Sequence, residues 1–319
     1  MIFPFYLLGV LLLLPSTFLL QPLRAEPASL NVLFIGNSYT ARHNLANVVK
    51  DMAEAGNPGL TFNISTVIYG GRTLKDHWRL GTQHIVNQYK VTGKEIAVTV
   101  EALEKATKDA KDRYAPAGLK RQSALLKTYE SNREKWDLVV LQSYRDDLDG
   151  DDSLYMQYAP KFAELAKAQG ARVILYVTTP TTQNAERLTS TPDKAPILKK
   201  TKSIAKLANN IGAEVAPMAL VAHRCQNQRP DFPLRFINDA HLNQTLAYLS
   251  ACTLYAAIFD KSPQGLPTDQ VTDIRFLEDD KTKDRDGLPI TKKFSKKDRA
   301  DLQRIAWEGY QEFQKLRGK

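Results

Sequence analysis

Ser38 stands where a buried strand of the sequence would end and a helix would begin. The apolar run at residues 32–35 predicts a strand that is covered on both faces, and Gly36 permits a sharp turn directly after it. Residues 42–55 carry apolar side chains at helical spacing, which places Ser38 close to the positive end of a helix. A hydroxyl in this position could act as a nucleophile, and an oxyanion that forms beside it would be stabilised.

A nucleophilic serine needs a base, and His241 is the best placed of the five histidines. It follows the last predicted strand and precedes an apolar helix at 246–259. Asp239, two residues earlier, could orient the imidazole if the loop is bent. Asn238 could do so as a neutral amide, or the serine and histidine could work as a dyad. We favour Asp239, because a carboxylate also stabilises the imidazolium that forms in the transition state.

The elements that must position these residues form an alternating pattern. Five short apolar runs alternate with helical patterns, which predicts a parallel sheet with helices on both sides. The predicted strands are 31–35, 60–68, 137–142, 172–178 and 214–218, and the helices between them fall near 42–55, 154–168 and 197–211. In such a sheet all strands end at one edge, so residues that follow different strands can meet there.

The composition indicates one large domain. The chain has 319 residues, of which 43% are hydrophobic and 25% charged, so it can bury a sizeable core. We predict a single domain over 26–319, with a polar helical insertion at 93–135 that is more consistent with a surface helix pair than with a roof over the site. A charged loop is predicted from 271 to 286, and a helix over 296–316 closes the domain.

The motifs resemble those of the SGNH (GDSL-like) hydrolase superfamily. The Phe-Ile-Gly-Asn-Ser-Tyr-Thr segment at 34–40 is similar to the family's first block, and Asp-Ala-His-Leu-Asn at 239–243 is similar to the block of its catalytic histidine. The resemblance extends in the right order over roughly 31–260. It implies a three-layer α/β/α flavodoxin-like fold with a five-stranded parallel sheet. It also implies ester hydrolysis through an acyl-enzyme, with no metal and no cofactor.

The same resemblance implies an oxyanion hole. Its donors would be the backbone amide of Ser38, the backbone amide of Gly71 after the second strand, with Gly70 close behind, and the side chain of Gln142. The sequence departs from the family in two places: Asn238 occupies the position of the family's aspartate, and Leu-Gln-Ser replaces the Gly-x-Asn-Asp block. Glutamine offers the same amide donor on a longer arm, and one branch of the superfamily ends this strand in Leu-Gln.

Other residues capable of chemistry receive structural interpretations. His77, next to Trp78, could line the cleft, but the pattern favours a surface histidine beside a packing tryptophan. Cys225 and Cys252 lack the spacing of metal ligands, and either one disulfide or two buried thiols would fit them.

The first 25 residues predict a signal peptide with cleavage near Ala25, because an apolar stretch is followed by a polar start. The alternative is a retained membrane anchor, and no later stretch could span a bilayer. We therefore expect a secreted or periplasmic protein that has no membrane contact beyond this segment.

The charge favours acidic surfaces or anionic polymers as partners. The formal net charge is +9, but lysines and arginines are interleaved with acids rather than gathered in a block, so we predict no nucleic-acid binding.

Export and an open sheet edge suit an extracellular polymer. The predicted substrate is a small-molecule or polysaccharide ester, with acetyl groups on carbohydrate as the specific hypothesis. The alternative is a noncatalytic carbohydrate-binding or surface protein that kept the fold while the displaced acid marked a decayed triad.

Overall fold

The computed structural model describes residue 1, residues 28–145, 150–178 and 181–319. The predicted signal peptide, apart from Met1, lies outside the described residues. Within the described ranges, no helix combines the length and apolar character that crossing a bilayer requires.

The core of the protein is a five-stranded parallel sheet with the strand order β2-β1-β3-β4-β5. The strands are β1 Ser29–Gly36, β2 Thr61–Ile68, β3 Leu138–Gln142, β4 Arg172–Val177 and β5 Glu214–Pro217. The predicted fold class is confirmed, and each strand lies within one or two residues of its predicted bounds.

Helices cover both faces of the sheet. They are α1 Ser38–Ala41, α2 Leu45–Gly56, α3 Leu74–Arg79, α4 Thr82–Val86, α5 Gly93–Ala106, α6 Ala115–Thr128, α7 Leu154–Lys167, α8 Ala195–Ile211, α9 Met218–Gln228, α10 Gln244–Phe259 and α11 Lys296–Leu316. Side chains of β1 alternate between the two faces: Val32 and Phe34 pack in the core with α2 and α10, and Leu33 and Ile35 in the core with α7 and α8. The continuous apolar run of β1 therefore reflects burial on both sides.

The chain after α10 differs from its prediction. Instead of only a charged loop, it contains an antiparallel pair, β6 Gln270–Thr272 and β7 Thr291–Lys293. These strands have three residues each and mostly polar sequences, so they carry no alternation of apolar residues that could reveal them. The pair places Asp273, which follows β6, in the protein interior at 2% exposure.

The segment predicted as an insertion contains helices α5 and α6, which pack against each other. Gln122 of α6 donates a hydrogen bond to the carbonyl of Gly81, which ties this pair to the turn before α4.

Cys225 and Cys252 are both buried and both free, which decides between the two alternatives left by the sequence. Burial raises the pKa of the Cys225 thiol to about 12, so this thiol is protonated and unreactive at neutral pH.

Candidate active site

The turn that carries Ser38 is built by hydrogen bonds around Asn37. The side chain of Asn37 accepts a hydrogen bond from Tyr39 N–H at 3.1 Å and thereby caps the short helix α1. Asn37 N–H donates to Oε1 of Gln142 at 2.8 Å, and the Thr40 hydroxyl donates to the same oxygen at 3.0 Å. These contacts fix Ser38 at the carboxyl edge of the sheet.

Gly36 is required at this turn because there is no space for a side chain. A Cβ at residue 36 would lie 2.3 Å from Oγ1 of Thr40 and 2.5 Å from Oε1 of Gln142. Neither oxygen can move far, since each belongs to the hydrogen bonds that shape the turn. The glycine that the sequence marked as a turn residue thus permits the close approach of β1, β3 and α1.

His241 lies between Ser38 and Asp239. Its Nε2 is 2.9 Å from Oγ of Ser38, and its Nδ1 contacts Oδ1 of Asp239. The carboxylate can only accept, so Nδ1 carries the proton and Nε2 is left to accept the proton of the serine hydroxyl. The structure therefore brings together the three predicted catalytic residues in the order that nucleophilic catalysis requires.

The loop before His241 is bent, which allows an acid two residues away to reach the ring. The carboxylate of Asp286 accepts hydrogen bonds from Ile237 N–H at 2.8 Å and from Asn238 N–H at 3.0 Å. Asp239 Oδ1 accepts a further hydrogen bond from His241 N–H at 3.1 Å. Asn238, the other predicted orienting residue, is exposed and held through its backbone. Of the two, Asp239 is the one in contact with His241.

Arg42 holds Asp239 from the side opposite to His241. Its Nη1 donates to Oδ2 of Asp239 at 2.9 Å, and its Nε donates to Oδ1 of Asp273 at 3.0 Å, with Nη2 on the second oxygen of Asp273. Arg285 Nε lies 3.6 Å from the same Oδ2 of Asp239. Burial acts to raise the pKa of Asp239, but the hydrogen bonds from His241 and Arg42 outweigh it and hold that pKa well below the usual range. Asp239 is therefore an anion at neutral pH.

No motif or spacing in the sequence predicts this network of Arg42, Asp239 and Asp273. The sequence pattern predicts Arg42 only as the start of a helix and Asp273 as part of a charged loop. Arg42 is 3% exposed and Asp273 is 2% exposed, so the two form a buried ion pair. The two residues are 231 positions apart in the chain, and β6 brings Asp273 to Arg42. The sequence alone therefore does not predict that they pair.

The predicted oxyanion loop lies beside the Ser38 turn. Asn37 Nδ2 donates to the carbonyl of Arg72 at 3.2 Å, and the Tyr114 hydroxyl donates to the carbonyl of Gly70. Gly71 between them has φ of +66° and open space where a side chain would be. In the part of the chain that the structure describes, the N–H groups of Ser38 and Gly71 have no hydrogen-bond acceptor.

Gln142 lies fully buried beneath the turn, with both ends of its amide in use. Its Oε1 faces Asn37 N–H, which can only donate, and its Nε2 donates to the carbonyl of Ser143. The side chain thus supports the nucleophile turn from below. One amide hydrogen remains for the predicted oxyanion role, which stays a prediction.

The interpretation of His77 as a surface residue is wrong. The side chain is fully buried, donates from Nε2 to the carbonyl of Gly36 at 3.0 Å, and accepts from the Thr82 hydroxyl at Nδ1 over 3.1 Å. Burial lowers its pKa to about 4, so it is neutral. The packing of α3 and Tyr69 over the end of β1 encloses the ring, and neighbouring residues in the sequence carry no sign of this.

Among residues 28–145, 150–178 and 181–319, no group of three or more histidine, cysteine, aspartate or glutamate side chains could hold a metal ion. The arrangement of Ser38, His241 and Asp239 is suited to nucleophilic attack on an acyl carbon.

Comparison with known proteins gives fold neighbours only. No family model and no curated protein matches the sequence. The structure is similar to a DUF4886 family protein from Bacteroides uniformis ATCC 8492, with 16% identity, a TM-score of 0.48, and 88% of this chain and 94% of that chain covered.

It is also similar to a protein from Slackia heliotrinireducens that is provisionally assigned as an SGNH hydrolase, with 18% identity, a TM-score of 0.44, and 72% and 99% coverage. A gut microbial diltiazem-metabolizing enzyme is similar over 73% of this chain and 46% of its own, with 12% identity and a TM-score of 0.37. Because these TM-scores are below 0.5, the function rests on the geometry of the site.

Proposed function

We propose that this protein is a serine ester hydrolase that acts through an acyl-enzyme. The observation that carries the proposal is the position of His241, with Nε2 at 2.9 Å from the Ser38 hydroxyl and Nδ1 on the carboxylate of Asp239. A base within hydrogen-bond reach of a hydroxyl, itself oriented by an anion, is the arrangement that activates a serine at neutral pH.

In the first half of the reaction, Ser38 Oγ bonds to the carbonyl carbon of the ester while its proton moves to His241 Nε2. The carbonyl oxygen becomes an oxyanion, which the N–H groups of Ser38 and Gly71 would stabilise, with the second amide hydrogen of Gln142 as a further donor. The tetrahedral intermediate then collapses, the bond to the leaving oxygen breaks, and His241 returns the proton to the alcohol.

In the second half, water attacks the acyl-enzyme. His241 takes a proton from the water as the new bond to the acyl carbon forms, and the second oxyanion occupies the same site. Collapse breaks the bond to Ser38 Oγ, which recovers its proton from His241. The products are the carboxylic acid and the free enzyme. Asp239 remains ionised throughout and stabilises the imidazolium in both halves.

For the substrate we propose acetyl groups on a carbohydrate, hydrolysed outside the cytoplasm by a secreted or periplasmic protein. The basis is the sequence pattern of a signal peptide and the position of Ser38, which is partly exposed at the carboxyl edge of the sheet. An open edge admits a polymer, whereas a closed cavity would restrict the enzyme to small esters.

The noncatalytic carbohydrate-binding alternative depended on the displacement of the acid from its family position. The contact between Asp239 and His241 removes that reason, because the carboxylate reaches the ring although it lies two residues before the histidine rather than three. We therefore rank the esterase first.

Hydrolysis of p-nitrophenyl acetate and butyrate by the purified protein tests the proposal. Ser38→Ala and His241→Ala should each abolish the activity. Ser131→Ala is the matched control, because Ser131 is exposed and precedes β3, at the edge of the sheet opposite to Ser38. A fluorophosphonate should label wild type and Ser131→Ala but not Ser38→Ala. A folded wild-type protein that neither hydrolyses the esters nor reacts with the phosphonate would refute the proposal.

A further inference from the structure

Three arginines surround two tyrosines beside the predicted oxyanion loop. The Cζ of Arg72 lies 4.6 Å from the centre of the Tyr114 ring, that of Arg113 lies 5.1 Å from the same ring, and that of Arg121 lies 5.0 Å from the Tyr69 ring. The two tyrosine rings contact each other edge to face, with their centres 6.2 Å apart. We call Arg72, Arg113 and Arg121 the arginine cluster.

The arginine cluster carries three positive charges that no carboxylate of the described residues pairs with. Within the described ranges, none of the three guanidinium groups forms an ion pair, whereas nearby Arg79 pairs with Asp112 at 2.7 Å. The Nε of Arg72 is buried and has no hydrogen-bond acceptor in the described residues. Stacking on the tyrosine rings thus holds the guanidinium groups in place and leaves their charge available to an anion.

The arginine cluster is attached to the candidate active site. Arg72 directly follows Gly71, and its carbonyl accepts the hydrogen bond from Asn37, the residue before Ser38. Tyr114, which lies under two of the guanidinium groups, donates to the carbonyl of Gly70. The backbone of the predicted oxyanion loop thus joins the arginine cluster to the Ser38 turn, which is the basis for assigning both to one ligand.

We propose that the arginine cluster recognises a carboxylate of the substrate, so that the preferred substrate is an O-acetylated acidic saccharide such as a uronate. This inference rests on the proposed function. The acetyl group is uncharged and contains no ionisable group. The anion must therefore lie on the saccharide, which leaves as the alcohol. Guanidinium groups bind carboxylates with two parallel hydrogen bonds, which gives both affinity and orientation. The net charge of +9 would also draw an anionic polymer to the surface.

Two probes that differ only in charge test this specificity. They are the methyl glycoside of fully O-acetylated glucuronic acid and its uronamide, in which a neutral amide replaces the carboxylate. Acetate release gives kcat/KM for each, and their ratio measures the preference for the anion. We expect a ratio of about tenfold or more in favour of the uronate, because the neutral amide cannot replace the paired charge-assisted hydrogen bonds between a guanidinium group and a carboxylate.

The variants Arg72→Gln and Arg121→Gln should each lower this ratio, mainly through a higher KM for the uronate. Arg133→Gln is the matched control: Arg133 also stacks on a tyrosine, at 5.4 Å from the Tyr129 ring, but it precedes β3 at the opposite edge of the sheet. The Arg133→Gln variant removes the same charge and should leave the ratio of the two kcat/KM values unchanged. About 1 M NaCl, which shortens the screening length to about 3 Å, should lower the ratio of the wild type.

The outcomes separate this inference from the proposed function. A wild-type ratio near one, or equal ratios in Arg72→Gln and Arg133→Gln, would overturn the role of the arginine cluster while acetate release still supports the esterase. Phosphonate labelling of Ser38 without hydrolysis of either saccharide would overturn the acidic-saccharide substrate but not the activated serine. Absence of both hydrolysis and labelling would overturn the proposed function itself.

Discussion

Arg42 donates one hydrogen bond to Asp239, at 2.9 Å, and two to the buried carboxylate of Asp273 with the rest of the same guanidinium group. The planar fork of arginine makes this possible, because its donors point in several fixed directions. Arg42 therefore connects the acid of the candidate triad to the protein interior. The position of Asp239 depends on a residue that does not contact His241.

The choice between Asp239 and Asn238 as the orienting residue is open to a direct test. We predict that Asp239→Asn lowers kcat on p-nitrophenyl acetate by about three to four orders of magnitude, because an amide favours the wrong tautomer of His241 and loses the anion. Asn238→Ala should change kcat by less than about twofold, since Asn238 is exposed and held by its backbone N–H. Equal losses in the two variants would contradict this assignment.

Removal of Arg42 should affect both stability and catalysis. Arg42→Gln leaves Asp273 buried without a cation, and we expect the free energy of unfolding to fall by about 3 kcal/mol in urea titrations. We also expect kcat to fall about tenfold or more with little change in KM, because Asp239 loses a positioning contact. Arg42→Lys should recover part of the kcat. A destabilised variant with unchanged kcat would show that Arg42 has only a structural role.

The two glycines of the oxyanion loop should respond differently to alanine. Gly71 has φ of +66°, so Gly71→Ala strains the backbone and should cost about 1 kcal/mol of stability, although no atom lies in the way. The reoriented N–H should also lower kcat. Gly70 lies outside the positive-φ positions, and a Cβ there would meet only the Tyr114 hydroxyl at 3.6 Å. Gly70→Ala should thus be tolerated, and equal kcat values for the two variants would contradict the role of Gly71.

Two buried histidines should make the protein sensitive to acid. Burial lowers the pKa values of His43 and His77 to about 4 each, from an ordinary value of 6.5. Between these values the unfolded chain binds protons that the folded protein does not, so stability is fully present above pH 6.5 and falls as the pH approaches 4. We expect a loss of about 3 kcal/mol for each histidine across this window.

Urea unfolding at several pH values between 7.5 and 4 measures this loss. His77→Gln should reduce the slope of stability against pH by about 1.4 kcal/mol per pH unit within the window. The variant will also be less stable at pH 7.5, because the Gly36 carbonyl loses its donor, but the slope is independent of that offset. An unchanged slope would mean that His77 is accessible to protons in the folded protein.

The sequence by itself determined the sheet and the place of the nucleophile. Apolar runs of four or more residues mark β1, β3 and β4, which are buried on both faces, and Gly36 marks the turn before Ser38, so both signals are local. Helix α11 was predicted over the residues that it occupies, because its apolar side chains recur with helical period. Helices α2, α7 and α8 follow from the same kind of periodic signal.

Only the tertiary structure decided which groups surround the catalytic residues. The spacing of Asp239 and His241 could not establish a contact, because the bend of their loop is imposed by Asp286, far along the chain. The ion pair of Arg42 and Asp273 joins residues that look like ordinary surface charges in the sequence. Hydrogen bonds and ion pairs form between residues that are close in space but can be far apart in the sequence. Hydrophobic periodicity predicts neither which residues pair nor whether the pair is buried. The strands of the sheet can therefore be predicted from local sequence patterns. The charged and hydrogen-bonded neighbours of the catalytic residues come together only when the chain folds.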